Sequence, residues 1–245
     1  MEPKIEEIRR HEGKPIPFFR KEYISEFVYG GIDGAITTFA VVAGATGAQA
    51  DIKWVLIFGF ANLIADGFSM SVGNYFSTKT ENENYDKHRD IEYWEIEHLR
   101  EKEVQEIRDI YTAKGFKGEL LEQVVDVITA DNDIWVDTMM KEELEMTQND
   151  RAPIKTATAT FLSFNLIGLI PLLAYMVALW VDIPNNTLFW MSSLATGIGL
   201  VIIGSLKSHV TENSRIRGIL ETLLLGGLAA VLAYYVGVIL ASQIL

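Results

Sequence analysis

Five stretches of about twenty or more mostly apolar residues, at 25–47, 52–77, 155–181, 187–207 and 216–244, constrain this chain more than any other feature. Each is long enough to cross a hydrocarbon core of about 30 Å at about 1.5 Å of helix rise per residue. Nearly all the charge lies between them. The pattern predicts an all-α integral membrane protein: five transmembrane helices, with a three-helix cytosolic insert between the second and third. Four segments follow, namely an amphipathic cytosolic arm (1–24), two membrane helices (25–77), an acidic helical domain (78–152) and three membrane helices (153–245).

The formal net charge of −12 belongs entirely to the insert. Residues 78–150 hold 21 acidic and 9 basic side chains, whereas the rest of the chain holds 12 of each. Nucleic acid is excluded as a partner, because phosphate needs a basic surface, and cations become the natural one. The chain has no cysteine, which removes disulfides, thiolate zinc sites and cysteine nucleophiles. Its first 24 residues carry Arg9, Arg10, Arg20 and Lys21 and no early apolar run, unlike a cleavable signal peptide. With the N-terminus and the insert in the cytosol and the C-terminus on the far side, 20 of the 21 Lys and Arg residues lie inside, as the positive-inside bias requires.

Within the insert, a long helix is expected from Thr78 to Ala113, ended by Lys114-Gly115, where glycine takes the left-handed cap conformation. A second is expected over Gly118 to Thr129. A third should start at Asp131 or Asp133 and run to Gln148, with Pro153 opening the next membrane segment.

Glu92, Glu95, Glu103 and Glu106 are spaced 3, 8 and 3. On a straight helix they share an arc of about 80°. A solvated acidic face is the ordinary explanation of such a run. Here the arc overlaps the apolar edge formed by Tyr85, Ile96, Leu99, Ile107 and Ile110, while Glu83, Asp90, Glu97 and Glu101 cluster on the opposite side. Carboxylates turned toward a packed surface cost several kcal/mol unless they are paired, protonated or bound to metal. The third helix places Trp135, Met139, Glu142 and Met146 on one face, with Met140 and Glu143 beside it. Methionine there is ordinarily core filler. Next to inward glutamates its thioether becomes a metal ligand that favours Fe²⁺ and similar ions over Mg²⁺ or Ca²⁺.

Two aspartates, Asp33 and Asp66, sit inside apolar runs beside Gly34 and Gly67. Ionisable groups at membrane depth are costly and mark ion or proton pathways. Asn62, Asn74 and Asn165 read as interhelical hydrogen-bond partners, and Glu221 as a snorkelling carboxylate near the inner boundary.

The run Asp33-Gly34-Ala35-Ile36-Thr37-Thr38-Phe39-Ala40-Val41-Val42-Ala43-Gly44 and the run Asp66-Gly67-Phe68-Ser69-Met70-Ser71-Val72-Gly73-Asn74-Tyr75 resemble the vacuolar iron transporter family, in its prokaryotic type. The 3-8-3 glutamates and Trp135-Val136-Asp137-Thr138-Met139-Met140 extend the resemblance over roughly 25–150. It implies a homodimeric, proton-coupled exporter of Fe²⁺, and often Mn²⁺, from the cytosol, with no prosthetic group. Co²⁺ or Zn²⁺ would serve as surrogate ions. The resemblance places the membrane site on Asp33 and Met70, with Asp66 standing in where eukaryotic members carry a glutamate at the position of Asn62. It assigns metal capture to Glu92, Glu95, Glu103 and Glu106, joined by residues within Met139 to Met146. Two rivals are a membrane-anchored di-iron oxidase and a metal-sensing module. The only Glu-x-x-His pair, Glu95 with His98, sets His98 off the stripe, and a sensor leaves Asp33 and Asp66 unexplained.

Overall fold

The computed structural model describes residues 23–210 and 214–244, and the described residues are helical with no strands. Of the arm expected over 1–24, all but the last two residues lie outside this range. The helices are α1 (Ile24–Gly47), α2 (Ile52–His98), α3 (Arg100–Ala113), α4 (Glu119–Thr129), α5 (Asn132–Glu142), α6 (Pro153–Gly168), α7 (Leu173–Val177), α8 (Asn185–Val210) and α9 (Arg215–Ile244). Five spans among the described residues are long and apolar enough to cross a membrane: Ile24–Gly47, Ile52–His98, Pro153–Val177, Asn185–Ser208 and Arg215–Gln243. The chain divides into two compact units, one built from the residues up to Tyr75 with those from Pro153 onward, the other from Phe76–Ala152.

In the first unit α1 packs against α6, α8 and α9. Glycine makes the close approach possible. A Cβ on Gly34 would collide with the carbonyl oxygen of Phe164 on α6, and one on Gly237 of α9 with the carbonyl oxygen of Gly44 on α1. Small residues at helix crossings let backbones meet where no water-driven burial operates. The core between them is Phe39, Val42, Ala43, Leu63, Phe164, Leu172 and Leu188, with Met70 packed at its edge. Gly73 on α2 has nothing among the described residues within 4 Å of its Cβ position.

The third apolar stretch is not one continuous helix. Pro171 lacks an amide proton and clashes with the carbonyl four residues earlier, so α6 stops at Gly168 and a 3₁₀ turn, Ile170–Leu172, leads into α7. Ser192 donates to the Pro171 carbonyl oxygen at 2.6 Å and so caps the break.

In the second unit, α3 ends as its sequence predicts. Gly115 has φ 99°, its N–H reaches the Thr112 carbonyl, and the N–H of Phe116 reaches that of Tyr111 at 3.1 Å, which is a Schellman cap. The rings of Tyr111 and Phe116 pack edge to face across it. Asp131 caps α5 by accepting from the N–H groups of Asp133 and Ile134. Tyr85, Ile96, Ile107, Leu121, Val125, Trp135, Met139 and Met140 form the buried core.

Two expectations for the insert need correction. No helix starts at Thr78: α2 runs without a break from Ile52 to His98, then stops, so the expected 78–113 helix is the end of α2 joined to α3 at Leu99 (φ −123°, ψ 29°). The third helix ends at Glu142 rather than Gln148. Leu144 and Met146 turn their N–H groups back to the carbonyls of Met139 and Met140, and Glu145 takes a positive φ of 52°, so Met146 lies beyond the helix.

Candidate metal centre

The break at Leu99 builds the glutamate site. Glu92 and Glu95 sit in the last turns of α2, and Glu103 and Glu106 in the first turns of α3. On an unbroken helix Glu92 and Glu103 would be about 16 Å apart along the axis, beyond the reach of two glutamate side chains. With the break, one carboxylate oxygen each from Glu92, Glu95 and Glu103 lies within 4.8 Å of the others. Oxygens on opposite sides of an ion held at about 2.0–2.6 Å are separated by about 4–5 Å, so the cluster matches the dimensions of a divalent-ion shell.

Burial distinguishes this cluster from a solvated acidic face. Glu103 is 0% exposed and Glu92 4%. Both carboxylate oxygens of Glu103 and Oε2 of Glu92 have no hydrogen-bond partner among the described residues. Lys102 is the neighbouring cation, 3.6 Å from Glu103 and 2.8 Å from Glu106. The i, i+4 spacing of Lys102 and Glu106 signalled that pair in the sequence.

The electrostatics follow. Burial, then the charges of Glu143, Glu95, Glu103 and Glu106, pushes Glu92 up to about 7. Burial, then Glu106 and Glu95, pushes Glu103 up to about 7 against the opposing charge of Lys102. Desolvation and then the charge of Glu106 raise Glu143 as well. Carboxylates that resist ionisation because they are buried and crowd one another are released by a cation placed among them.

The other insert residues singled out by sequence separate into distinct roles. Met139 and Met140 are both 0% exposed, packed in the core with Trp135, Ile96 and Ile107. Glu142 pairs with Lys114 at 2.5 Å. Met146 is half-buried and lines an open cavity of about 450 Å³ with Glu81, Asn84, Tyr85, Gln148 and Asn149. Glu81 itself accepts from Asn149 at 2.9 Å.

In the first unit Asp33 is half-buried on α1 and within electrostatic reach of Asp66 on α2, which is exposed. The carbonyl of Asp33 accepts from Thr37 at 2.8 Å, and Asn62 donates to Thr37 at 3.5 Å, which ties α2 to the turn of α1 that carries Asp33. Thr37 was not singled out in the sequence, because a threonine in a membrane helix carries no signal of its own. Asn74 donates to Thr160 at 2.5 Å, whereas Asn165 bonds within its own helix, to Phe161. Glu221 is held by Lys207 and Arg217, each at 3.1 Å.

Comparison with known proteins finds relatives along nearly the whole chain. The sequence pattern of the VIT family matches residues 24–238. A Toxoplasma gondii protein named vacuolar iron transporter is 32% identical over 225 residues, covering 89% of this chain and 74% of its own. A Centaurea cyanus protein of the same name is 31% identical over 228 residues, covering 93% and 91%. Vacuolar iron transporter 1 of Arabidopsis thaliana is 30% identical over 219 residues, covering 89% and 86%. With five apolar helices in one multi-pass chain and a family match from α1 into α9, this protein belongs to the VIT family of membrane proteins.

Proposed function

We propose that this chain is a membrane transporter that carries Fe²⁺, with Mn²⁺ as a second cargo, out of the cytosol in exchange for protons. The observation that carries the reading is the trio Glu92, Glu95 and Glu103, whose oxygens lie within 4.8 Å of one another, two of the three residues being buried. Relatives named vacuolar iron transporter supply the cargo. In this reading the insert faces the cytosol with the N-terminus, the C-terminus lies on the far side, and the glutamates collect the ion, with Glu106 and Glu143 at the rim and Met139 near the site. Co²⁺ and Zn²⁺ bind there as surrogates. Membrane passage then runs along Asp33, Asp66 and Met70, with a carboxylate that takes a proton as the ion leaves.

A homodimer fits the exposed face of α2. Trp54, Phe58, Ile64 and Phe68 are between 52% and 63% exposed along α2, and Asp66 is exposed on another side of the same helix. A carboxylate facing lipid is expensive, and a second copy placed against α2 removes it from lipid and sets two aspartates beside one path.

Flux measurement tests the reading. In proteoliposomes with an acidic lumen the wild-type chain should concentrate Fe²⁺, collapse of the gradient should stop it, and Asp33→Ala should lose flux while the insert still binds Co²⁺. Flux no greater than that of empty liposomes, with or without a gradient, would sink the proposal.

A further inference from the structure

The glutamate cluster depends on a helix break that the local sequence does not explain. Residues 97–101, Glu-His-Leu-Arg-Glu, contain neither proline nor glycine, and Leu99 supplies no side-chain cap to α3. Their propensities favour continuing the helix. Sharp breaks have identifiable causes, and here the cause has to come from tertiary contacts.

Two contacts flank the break. On the α2 side, the His98 ring stacks on Trp94 with centroids 4.6 Å apart, and its Nδ1 donates to the Trp94 carbonyl at 2.8 Å. Both partners belong to α2, so this closes the last turn without directing α3. On the α3 side, Arg100 reaches across the unit. Its guanidinium carbon sits 4.9 Å from the centroid of the fully buried Trp135 ring on α5, and its Nη2 donates at 3.1 Å to the carbonyl of Thr129, the last residue of α4. One side chain at the first position of α3 is thus anchored to two other helices. Planar stacking combined with a directed donor fixes orientation better than a flexible ammonium would.

We propose that Arg100 is a positioning residue for ion capture: its clamp on Trp135 and Thr129 holds the start of α3 off the axis of α2, which sets Glu103 against Glu92 and Glu95. Glu103 follows Arg100 by three residues, so a change in the direction of α3 moves that carboxylate directly. The role is mechanical. The charges acting on Glu103 are those of Glu106, Glu95 and Lys102. The inference rests on the reading of the glutamates as a metal site, and its test separates the two.

The test is calorimetric titration of the purified full-length chain with Co²⁺, together with the Co²⁺ d–d absorption spectrum. Groups that orient metal ligands typically contribute about 10- to 100-fold in affinity, so Arg100→Ala should bind about tenfold more weakly. Its spectrum should move toward that of Glu103→Gln. In a Glu103→Gln background Arg100→Ala should cost nothing further, because the residue acts through Glu103. Arg100→Met, which keeps the aliphatic stem, should reproduce the loss if the alanine variant fails to fold. An affinity within twofold of wild type, or losses that multiply in the double variant, would overturn the positioning role. If Glu103→Gln alone binds Co²⁺ like wild type, the metal-site reading fails first, whatever Arg100 does.

Discussion

Lys114, at the end of α3, places its ammonium 2.5 Å from a carboxylate oxygen of Glu142 in the last turn of α5. Glu143, one residue on, feels the charges of Glu106 and Glu95 instead. Neighbouring glutamates on one helix end therefore serve different partners, a clasp between α3 and α5 in one case and the acidic cluster in the other. Glu142→Gln should change Co²⁺ affinity less than twofold, since an exposed ion pair contributes about 0–1 kcal/mol to folding and nothing to the ion. Glu143→Gln should weaken binding by about three- to tenfold through lost charge near the site. Calorimetric titration of both variants separates them, and equal losses would mean that the clasp and the cluster act as one.

Affinity for the ion should depend on pH around neutrality. Glu92 and Glu103 both titrate at about 7, so below that value an arriving cation must displace protons. Co²⁺ affinity should fall as pH drops from 8 to 6, approaching about tenfold per unit for each proton displaced. Glu103→Gln should bind at least about tenfold more weakly at pH 8 and show a shallower pH dependence, since one of the two protons is gone. A pH-independent affinity in the wild-type chain would contradict the raised carboxyls.

Much of this arrangement was legible in the sequence, and what was not has physical causes. The membrane helices declare themselves through length, and α1, α8 and α9 begin and end within about three residues of the apolar stretches. Gly115 and Asp131 announced their caps because a left-handed turn and an N-cap each demand a particular residue type. The stripe of Glu92, Glu95, Glu103 and Glu106 was visible as a pattern, yet its assumed straight helix could not have brought Glu92 to Glu103. Leu99 carries no local signal of the break, because Arg100 makes its contacts with residues 29 and 35 positions away. The early end of α5 was hidden for a related reason, since Glu145 adopts a positive φ where glycine or asparagine would have marked the turn. Pro171 did carry a local signal, and the interruption after α6 follows from its chemistry alone.

Gly34 offers a test of the membrane bundle that leaves the insert aside. A Cβ there would collide with the carbonyl oxygen of Phe164, a backbone atom that cannot rotate away. Gly34→Ala should therefore force α1 and α6 apart and destabilise the bundle by about 1–3 kcal/mol, the usual range for overpacking. Thermal unfolding in detergent should show a lower midpoint and a reduced yield of monodisperse protein. Gly73→Ala, with nothing within 4 Å, should behave as wild type or slightly better.

The raised carboxyls also set the direction in which the metal-free protein responds to pH. Glu92 and Glu103 have an ordinary value of 4.5 and titrate near 7 in the folded chain. Between those two values the folded state holds protons that the unfolded state has released, so stability falls as pH rises. Their contribution is fully present below about 4.5 and is lost as pH climbs through 7, the reverse of what a salt-bridged carboxylate gives. In the presence of a chelator, the wild-type chain should lose thermal stability relative to Glu103→Gln between pH 5 and pH 8, because the glutamine cannot ionise. Glu122, held low by Arg108, contributes its own slope only at and below its ordinary value of 4.5, outside this range, and does so in both proteins. Saturating Co²⁺ should reverse the trend, adding stability to the wild type that grows with pH, since an ion that binds only the folded state stabilises it in proportion to its affinity. Scanning fluorimetry over a pH series, with and without Co²⁺, measures both slopes. Parallel curves for wild type and Glu103→Gln without metal would show that Glu103 does not titrate in this range.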